Sequence, residues 1–420
     1  MTTRAQRRRK NLDVSPLLAA AILCIIGAAV VYSAVVAGGA SDNYHLLQLQ
    51  WLGIGIVGAM VAMAFQPRTL EGLAIPMYVA IIAVLILLLL LPGTTANTKR
   101  WIDLGPIGLQ PSEPAKLVTV FMLARFLSDR RLDPNRASVV LQASVLGAVP
   151  MLLVLKQPDL GTSLVFPLIV LGMLYWRGLS GVQLFMLLSP GLSVITAFIY
   201  PPVLGEPDWI HMLPWATLMV AVTVVAIFSN TGLWRGLLAI AANIGVGLVT
   251  PFLWATLADY QKSRIITFLS PEADPRGGGY QIIQSKVAIG SGGWTGKGWL
   301  QGTQSSLDFL PERHTDFIVA VLGEEWGFLG VLLVLGLFFF IILKSIRFAR
   351  EARHPFSSLT SFGLGTILTY HVFVNLGMAT GLMPVTGLTL PLVSYGGTSL
   401  LMTMVLIGLL VGIGLRRHER

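Results

Sequence analysis

Four short strings in this chain carry polar and ionisable side chains in arrangements that could do chemistry. The first is GLQPSEPAKL, Gly108–Leu117, where Glu113 and Lys116 stand three residues apart at the start of an apolar run. That spacing puts both on one helical face. They are either a solvated ion pair at a helix start or a pair turned into a polar cavity at the membrane surface. Because ionisable groups inside a span are expensive and mark pathways or sites, the position of Lys116 one turn into the apolar run favours the cavity. The second string is LKQPDLGTS, Leu155–Ser163, in which Asp159 sits between a proline and a glycine. Asp159 can cap the next helix, line a site, or do both. The third is PEADPRGGGY, where Asp274 lies in a Gly/Pro turn. A lone carboxylate there is an ordinary turn-former. Lys262, Arg264, Arg276, Lys286 and Lys297 surround it in sequence, and a carboxylate beside bases suits general-base chemistry on a phosphate-bearing substrate. The fourth is FLPERHTDF, Phe309–Phe317, with Glu312, His314 and Asp316 at alternate positions. It lacks the HExxH spacing that places metal ligands on one helix face. A polar lining, or a helix cap by Thr315 or Asp316, is the reading favoured over a zinc site.

Asp274 and its neighbouring bases fall in a segment of about sixty residues, Ala258–Asp316, that is polar in a chain otherwise built of apolar runs. Long connections of this kind are functional or disordered, and this one is too rich in Trp, Phe, Ile and Leu for disorder. A last segment, Gly381–Ser399, is apolar but broken by Pro384, Gly387, Pro391, Gly396 and Gly397. Irregular backbone at membrane depth is tolerated only where protein covers it or a cavity borders it. It reads as a partly re-entrant wall of an outward-facing cavity, with Ser394 among its polar groups.

The elements that position these strings are membrane helices. Of 420 residues, 54% are hydrophobic and 12% charged, where a soluble domain carries about 25% charged residues. Mean hydropathy is +0.75. The one cysteine, Cys24, lies in the first apolar run, so no disulfide framework or thiol–metal site is expected. A span needs about 20 apolar residues. Candidates are 16–36, 46–65, 73–91, 115–127, 137–155, 162–175, 182–200, 213–228, 237–257, 317–343, 359–380 and 398–415. The expected fold is therefore all-α and polytopic, with twelve transmembrane helices and one large extracytoplasmic loop. It divides into nine spans (1–257), the loop (258–316), and three final spans with the broken segment (317–420).

The net charge of +9 is distributed, not patched, which argues against nucleic acid. Arg4, Arg7, Arg8, Arg9 and Lys10 precede the first span. Clusters at Arg68, Arg130–Arg136, Arg177, Arg235, Lys344–Arg353 and Arg416–Arg420 alternate onto the same side. The positive-inside rule makes that side, with both termini, cytoplasmic and the long loop extracytoplasmic. The first run is too long for a signal-peptide core and lacks a small-residue cleavage site, so it is expected to remain as a span. No glycine-rich phosphate loop or nucleotide fingerprint occurs, so no nucleotide is expected as a cofactor.

QPSEPAKL, QPDLGTS, DYQKSRI, DPRGGGYQIIQSKVAIGSGG, GWLQGTQSSLDFLPERHTDFI and GLMPVTGLTLPLVSYGG occur in this order between about residues 108 and 400. Together they closely resemble the shape, elongation, division and sporulation (SEDS) membrane proteins. GKGWLQGTQSSLDFLPERHTDF is similar to the elongation branch more than to the division branch. The resemblance implies a peptidoglycan glycosyltransferase that polymerises lipid II on the outer face of the bacterial cytoplasmic (inner) membrane during elongation. It implies that Asp274 is the catalytic carboxylate, and that Glu113 and Lys116 are cavity residues near the reaction centre. Asp159 matches the family's QPDLGT motif. Substrate contacts are expected from these three and from Lys262, Arg264, Lys286, His314 and Ser394. Lys116 and Arg264, or a divalent cation such as magnesium or manganese, would stabilise the departing diphosphate. The implied partners are lipid II, a class B penicillin-binding protein (a transpeptidase) and the elongation machinery. A lipid II flippase or a scaffold for the transpeptidase are the alternatives. The commonest family pattern has ten spans, which leaves 182–228 as an extra pair.

Overall fold

The computed structural model describes residues 13–36, 44–90, 100–103, 108–198, 213–229, 232–256, 259–273, 278–306 and 312–418. It is a helical bundle. The first spans are α1 (Ser15–Val36), α2 (Tyr44–Ala64), α3 (Pro67–Leu90), α4 (Ser112–Leu127) and α5 (Ala137–Lys156). A short α6 (Leu160–Ser163) then leads into α7 (Val165–Arg177), followed by α8 (Gly181–Phe198), α9 (Leu213–Phe228) and α10 (Leu233–Thr256). After the polar segment come α14 (Ile318–Glu351), α15 (Pro355–Thr380) and α16 (Gly397–Arg416). Among the described residues, eight spans are long and apolar enough to cross a membrane, counting α6 and α7 as one. The three shorter apolar helices in α8, α9 and α10 and the 16-residue α4 fall on the other four stretches expected from the sequence.

Local chemistry sets the helix limits. Gly178 (φ 115°) and Gly381 (φ 71°) adopt the left-handed conformation that ends α7 and α15. Pro355 opens α15, where its missing N–H costs nothing. The helices pack through small residues, as expected where lipid is as apolar as the side chains. On α16, a Cβ on Gly408 would lie 2.2 Å from the carbonyl oxygen of Ala59, and one on Gly412 would lie 2.8 Å from that of Met63. The α2–α16 seam therefore brings backbone against backbone. Phe166, Ile169, Met173, Leu123, Leu127 and Phe356 fill the centre between α4, α7 and α15.

The extra pair, α8 and α9, packs chiefly with α10 as a three-helix group. A polar knot holds it at membrane depth. Asn243 donates to Ser189 Oγ at 2.8 Å and to the Ala239 carbonyl at 2.8 Å, while its Oδ1 accepts from Ser193 Oγ.

The polar segment carries regular structure of its own: α11 (Asp259–Leu269), a 3₁₀ turn (Pro271–Ala273), α12 (Gly278–Gly292) and α13 (Thr303–Ser306). Its second half is threaded into a break in α14. Gly327 leaves helical geometry there (φ 67°, ψ −167°), and the groups so freed are met by the loop. Phe328 and Leu329 N–H donate to the Gly293 and Trp294 carbonyls at 2.9 and 3.1 Å. Lys297 and Gly298 N–H donate to the Glu324 and Glu325 carbonyls at 2.9 and 3.0 Å. Backbone satisfaction at a broken span is obligatory, so loop and helix specify each other. The fully buried Glu324 carboxylate completes the lock by accepting from Lys297 Nζ (2.7 Å), Thr303 N (2.8 Å), Thr303 Oγ1 (2.9 Å) and Gln304 N (3.1 Å).

Candidate active site

The bundle has two polar ends. One gathers Arg130, Arg177, Arg353, Arg416 and Arg417 and is called the basic end here. The other holds three of the strings identified above, GLQPSEPAKL, LKQPDLGTS and the described part of FLPERHTDF, which meet the broken segment at a cleft of about 1260 Å³ open to solvent. Its walls include Glu113, Asp159, Glu312, Asp316, Arg100 and the stretch Gly387–Thr389 with Gly396 and Gly397. Residues nearly 300 positions apart thus face one space.

At the floor lies a buried charged relay. Glu113 is in the first turn of α4, where a carboxylate suits the helix dipole. Lys116 Nζ donates to Glu113 Oε1 at 2.7 Å and stands 2.7 Å from His371 Nε2 on α15. Glu113, Lys116 and His371 are 5%, 2% and 2% exposed. An ammonium only donates, so Nε2 of His371 accepts and the ring proton sits on Nδ1, which faces the Thr389 carbonyl at 3.5 Å. A helix start, a second span and the broken segment are thereby joined through three polar side chains. Glu113 reaches the cleft, whereas Lys116 lies beneath it beside His371.

Asp159 is both cap and wall. Its Oδ1 accepts from Thr162 N–H at 3.1 Å, starting α6, and its Oδ2 accepts from Gln110 Nε2 at 2.9 Å. Arg100 braces the same turn by donating from Nε to the Gln157 carbonyl at 2.8 Å and from its guanidinium to that of Pro158. A two-residue ladder, β1 (Ile102–Asp103) with β2 (Gly108–Leu109), leads into α4 beside it. Thr398 Oγ1, at the start of α16, donates to the Gly108 carbonyl at 3.0 Å.

The fourth string is fastened to the broken segment. Asn375 Nδ2 donates to the Asp316 carbonyl at 3.1 Å and to the Leu388 carbonyl at 2.7 Å. Tyr395 N–H donates to the His314 carbonyl at 2.9 Å. The His314 ring stacks on Tyr44, with centroids 4.7 Å apart. Arg313 is buried, and its Nε donates to the Ala34 carbonyl at 2.7 Å, pinning the string to α1.

The remaining sequence candidates are placed differently. Asp274 lies outside the described residues, between the 3₁₀ turn and α12. The side chain of Arg264 on α11 lies outside them too. Lys262, on α11, is half-buried and is not among the groups lining the cleft. Lys286, on α12, is exposed, with its ammonium over Gly381 at the carbonyl end of α15, where a cation suits the helix dipole. Ser394 does not face the cleft: it is buried, and its Oγ accepts from Leu390 N–H at 2.9 Å to close a turn. Among the described residues, no group of three or more His, Cys, Asp or Glu side chains could hold a metal ion. His371, Arg100, Gln110, Asn375 and Thr389 join the site without having been among the residues its motifs pointed to. Only His371 carried a signal, as an ionisable side chain within an apolar span.

Fold and site together define an integral membrane protein whose cleft chemistry is gathered at one end of a helical bundle. The sequence profile of the FtsW/RodA/SpoVE family of cell cycle proteins matches residues 14–207 and 203–419. The chain belongs to that family. Peptidoglycan glycosyltransferase MrdB of Escherichia coli K12 is 39% identical over 400 residues, covering 94% of this chain and 93% of the relative. Peptidoglycan glycosyltransferase RodA of Treponema pallidum is 32% identical, with 97% and 98% covered. Among solved structures, a chain of a peptidoglycan synthase complex that coordinates polymerization and crosslinking aligns with TM-score 0.70 at 30% identity, covering 97% and 99%. The rod shape determining protein RodA of Thermus thermophilus aligns with TM-score 0.62 at 26% identity, covering 97% and 98%.

Proposed function

We propose that this chain is a peptidoglycan glycosyltransferase that polymerises lipid II into glycan strands during cell elongation. The observation that carries the reading is the convergence of QPSEPAK, QPDLGTS, FLPERHTDF and the Gly/Pro-broken segment on one acid-lined cleft, opposite the basic end. Positive-inside bias makes the basic end cytoplasmic. The cleft then opens on the outer face of the bacterial inner membrane, with both termini inside. No nucleotide is available there, so the driving force is the diphosphate ester of the substrate.

In the proposed reaction the 4-hydroxyl of an acceptor GlcNAc attacks C1 of a donor MurNAc with inversion. The new C1–O bond forms as the bond to undecaprenyl diphosphate breaks, and the hydroxyl proton passes to the Asp274 carboxylate acting as general base. Arg264 supplies positive charge to the leaving diphosphate, and the Lys116 ammonium beneath the floor offsets the Glu113 carboxylate that faces the cleft. Asp159 with Gln110 shapes the cleft for the sugar and peptide portions, and His314, stacked on Tyr44, braces the string that carries Glu312 and Asp316 into it. A divalent cation would be held by the diphosphate together with single carboxylates such as Asp159, and a magnesium titration of activity tests this. A class B penicillin-binding protein is the proposed transpeptidase partner, in keeping with the polymerization and crosslinking coordinated by the similar complex.

The rival reading is a transporter that flips lipid II, which a cleft between broken spans would also suit. Liposomes carrying the purified protein, scored separately for lipid II translocation and for polymer, separate the two. Polymer formed from lipid II presented only on the cleft side supports the enzyme. Translocation without polymer overturns it.

A further inference from the structure

A second polar pocket lies at the basic end, where the start of α3, the end of α4 and the α14–α15 connection meet. It encloses about 940 Å³ of open space lined by Glu71, Ser128, Arg130, Arg353, His354 and Pro355. The arginines around it are mostly engaged. Arg125 donates to the Glu71 carbonyl, Arg177 to those of Leu127 and Leu132, Arg347 and Arg417 pair with Glu351, and Arg416 donates to the Met63 carbonyl. The side chains of Arg130 and Arg353 make no hydrogen bond or ion pair among the described residues, and both face this pocket. Its one acid is already occupied: the Glu71 carboxylate accepts from Ser128 Oγ at 3.3 Å and stands 3.8 Å from His354 Nε2. The other ring nitrogen of His354, Nδ1, is buried and has no hydrogen-bond partner.

We propose that this pocket binds the phosphate of an anionic membrane lipid. Two free guanidiniums across a pocket suit phosphate oxygens, which they can grip in pairs. Basic pockets between spans at a membrane surface hold anionic headgroups by this chemistry. The lipid source follows from α3 itself, where Ile75 and Val79, one and two turns beyond Glu71 on the same helical face, are 44% and 62% exposed. A headgroup seated between Arg130 and Arg353 would lay its acyl chains along that apolar face. The site stands apart from the cleft and shares no residue with it.

The test uses full-length protein, delipidated in neutral detergent, with binding of phosphatidylglycerol and of phosphatidylcholine read by native mass spectrometry. Wild type should retain phosphatidylglycerol selectively. The double variant Arg130→Gln, Arg353→Gln should bind it about 30-fold more weakly, as two interfacial basic residues supply, with an unchanged thermal unfolding temperature. Arg235→Gln, which removes an exposed charge elsewhere at the same end, should leave binding intact. Equal lipid affinity in the double variant, or an equal loss in Arg235→Gln, overturns the site. Displacement of the lipid by equimolar inorganic phosphate overturns the lipid assignment.

Discussion

Replacing Lys116 by Met separates structural from chemical roles at the cleft floor. The side chains of Lys116 and Glu113 are 3% and 7% exposed, and the ammonium touches both Glu113 and His371 at 2.7 Å. Methionine matches the shape of lysine but leaves the Glu113 carboxylate buried without its counter-charge. Breaking a buried pair from one side costs about 3–5 kcal/mol. Removing both charges together, in Glu113→Gln with Lys116→Met, avoids the orphaned carboxylate and leaves two side chains of nearly native volume. Such replacements are often close to neutral, so the double variant should recover most of the stability lost by the single one. Its polymerisation of lipid II should stay abolished, because the ammonium below the cleft is gone in both. The assay is thermal unfolding of purified protein paired with polymer yield from lipid II. A single variant as stable as wild type would mean the pair is solvated. A double variant that polymerises normally would mean the pair serves only the fold.

Glu324→Ala should cost about 1–3 kcal/mol, because the Thr303 and Gln304 backbone donors lose their acceptor while the partly exposed Lys297 can turn to water. It should also open residues 293–306 to limited proteolysis, since that carboxylate holds Lys297, Thr303 and Gln304. In the three-helix group, Asn243→Ala should cost about 0.6–1.7 kcal/mol, the range for interhelical hydrogen bonds in membranes. A double-mutant cycle with Ser189→Ala should show that the two act together. At the basic end, Asp13 bonds to Lys344 Nζ at 2.7 Å and to Ser15. Burial alone would raise its carboxyl, but those bonds outweigh it and hold the group down at about 2. A lowered carboxyl pKa means that the pair stabilises the fold above the ordinary value of 3.8, and that this is lost as pH falls towards about 2. Asp13→Asn should flatten that part of the pH–stability profile measured by unfolding.

The spans and the strings that meet at the cleft were legible because each has a local signature. Apolar length marks a span, and a proline–acid–glycine run marks a capped turn such as that of Asp159. What the sequence hid depends on which spans become neighbours. His371 looks like an isolated polar residue in an apolar helix until α15 is laid against α4. Ser394 looks like a polar group on a cavity wall, but its own turn uses the hydroxyl. The polar segment reads as a loop because its helices are short and its backbone partners, Glu324 to Leu329, lie on the following span. Gly327 is the trace of that pairing, since a Cβ there would lie 2.3 Å from the backbone nitrogen of Gly296.

In the proposed reaction Asp274 is the base that activates the acceptor sugar of lipid II. The most direct measurement compares purified wild-type and Asp274→Asn protein for glycan polymer formed from lipid II, with folding monitored in both. Wild type should form polymer, and a folded Asp274→Asn variant should form it about 10²–10⁴-fold more slowly, the share that a general base contributes. Polymerisation at the wild-type rate by that variant would contradict that role.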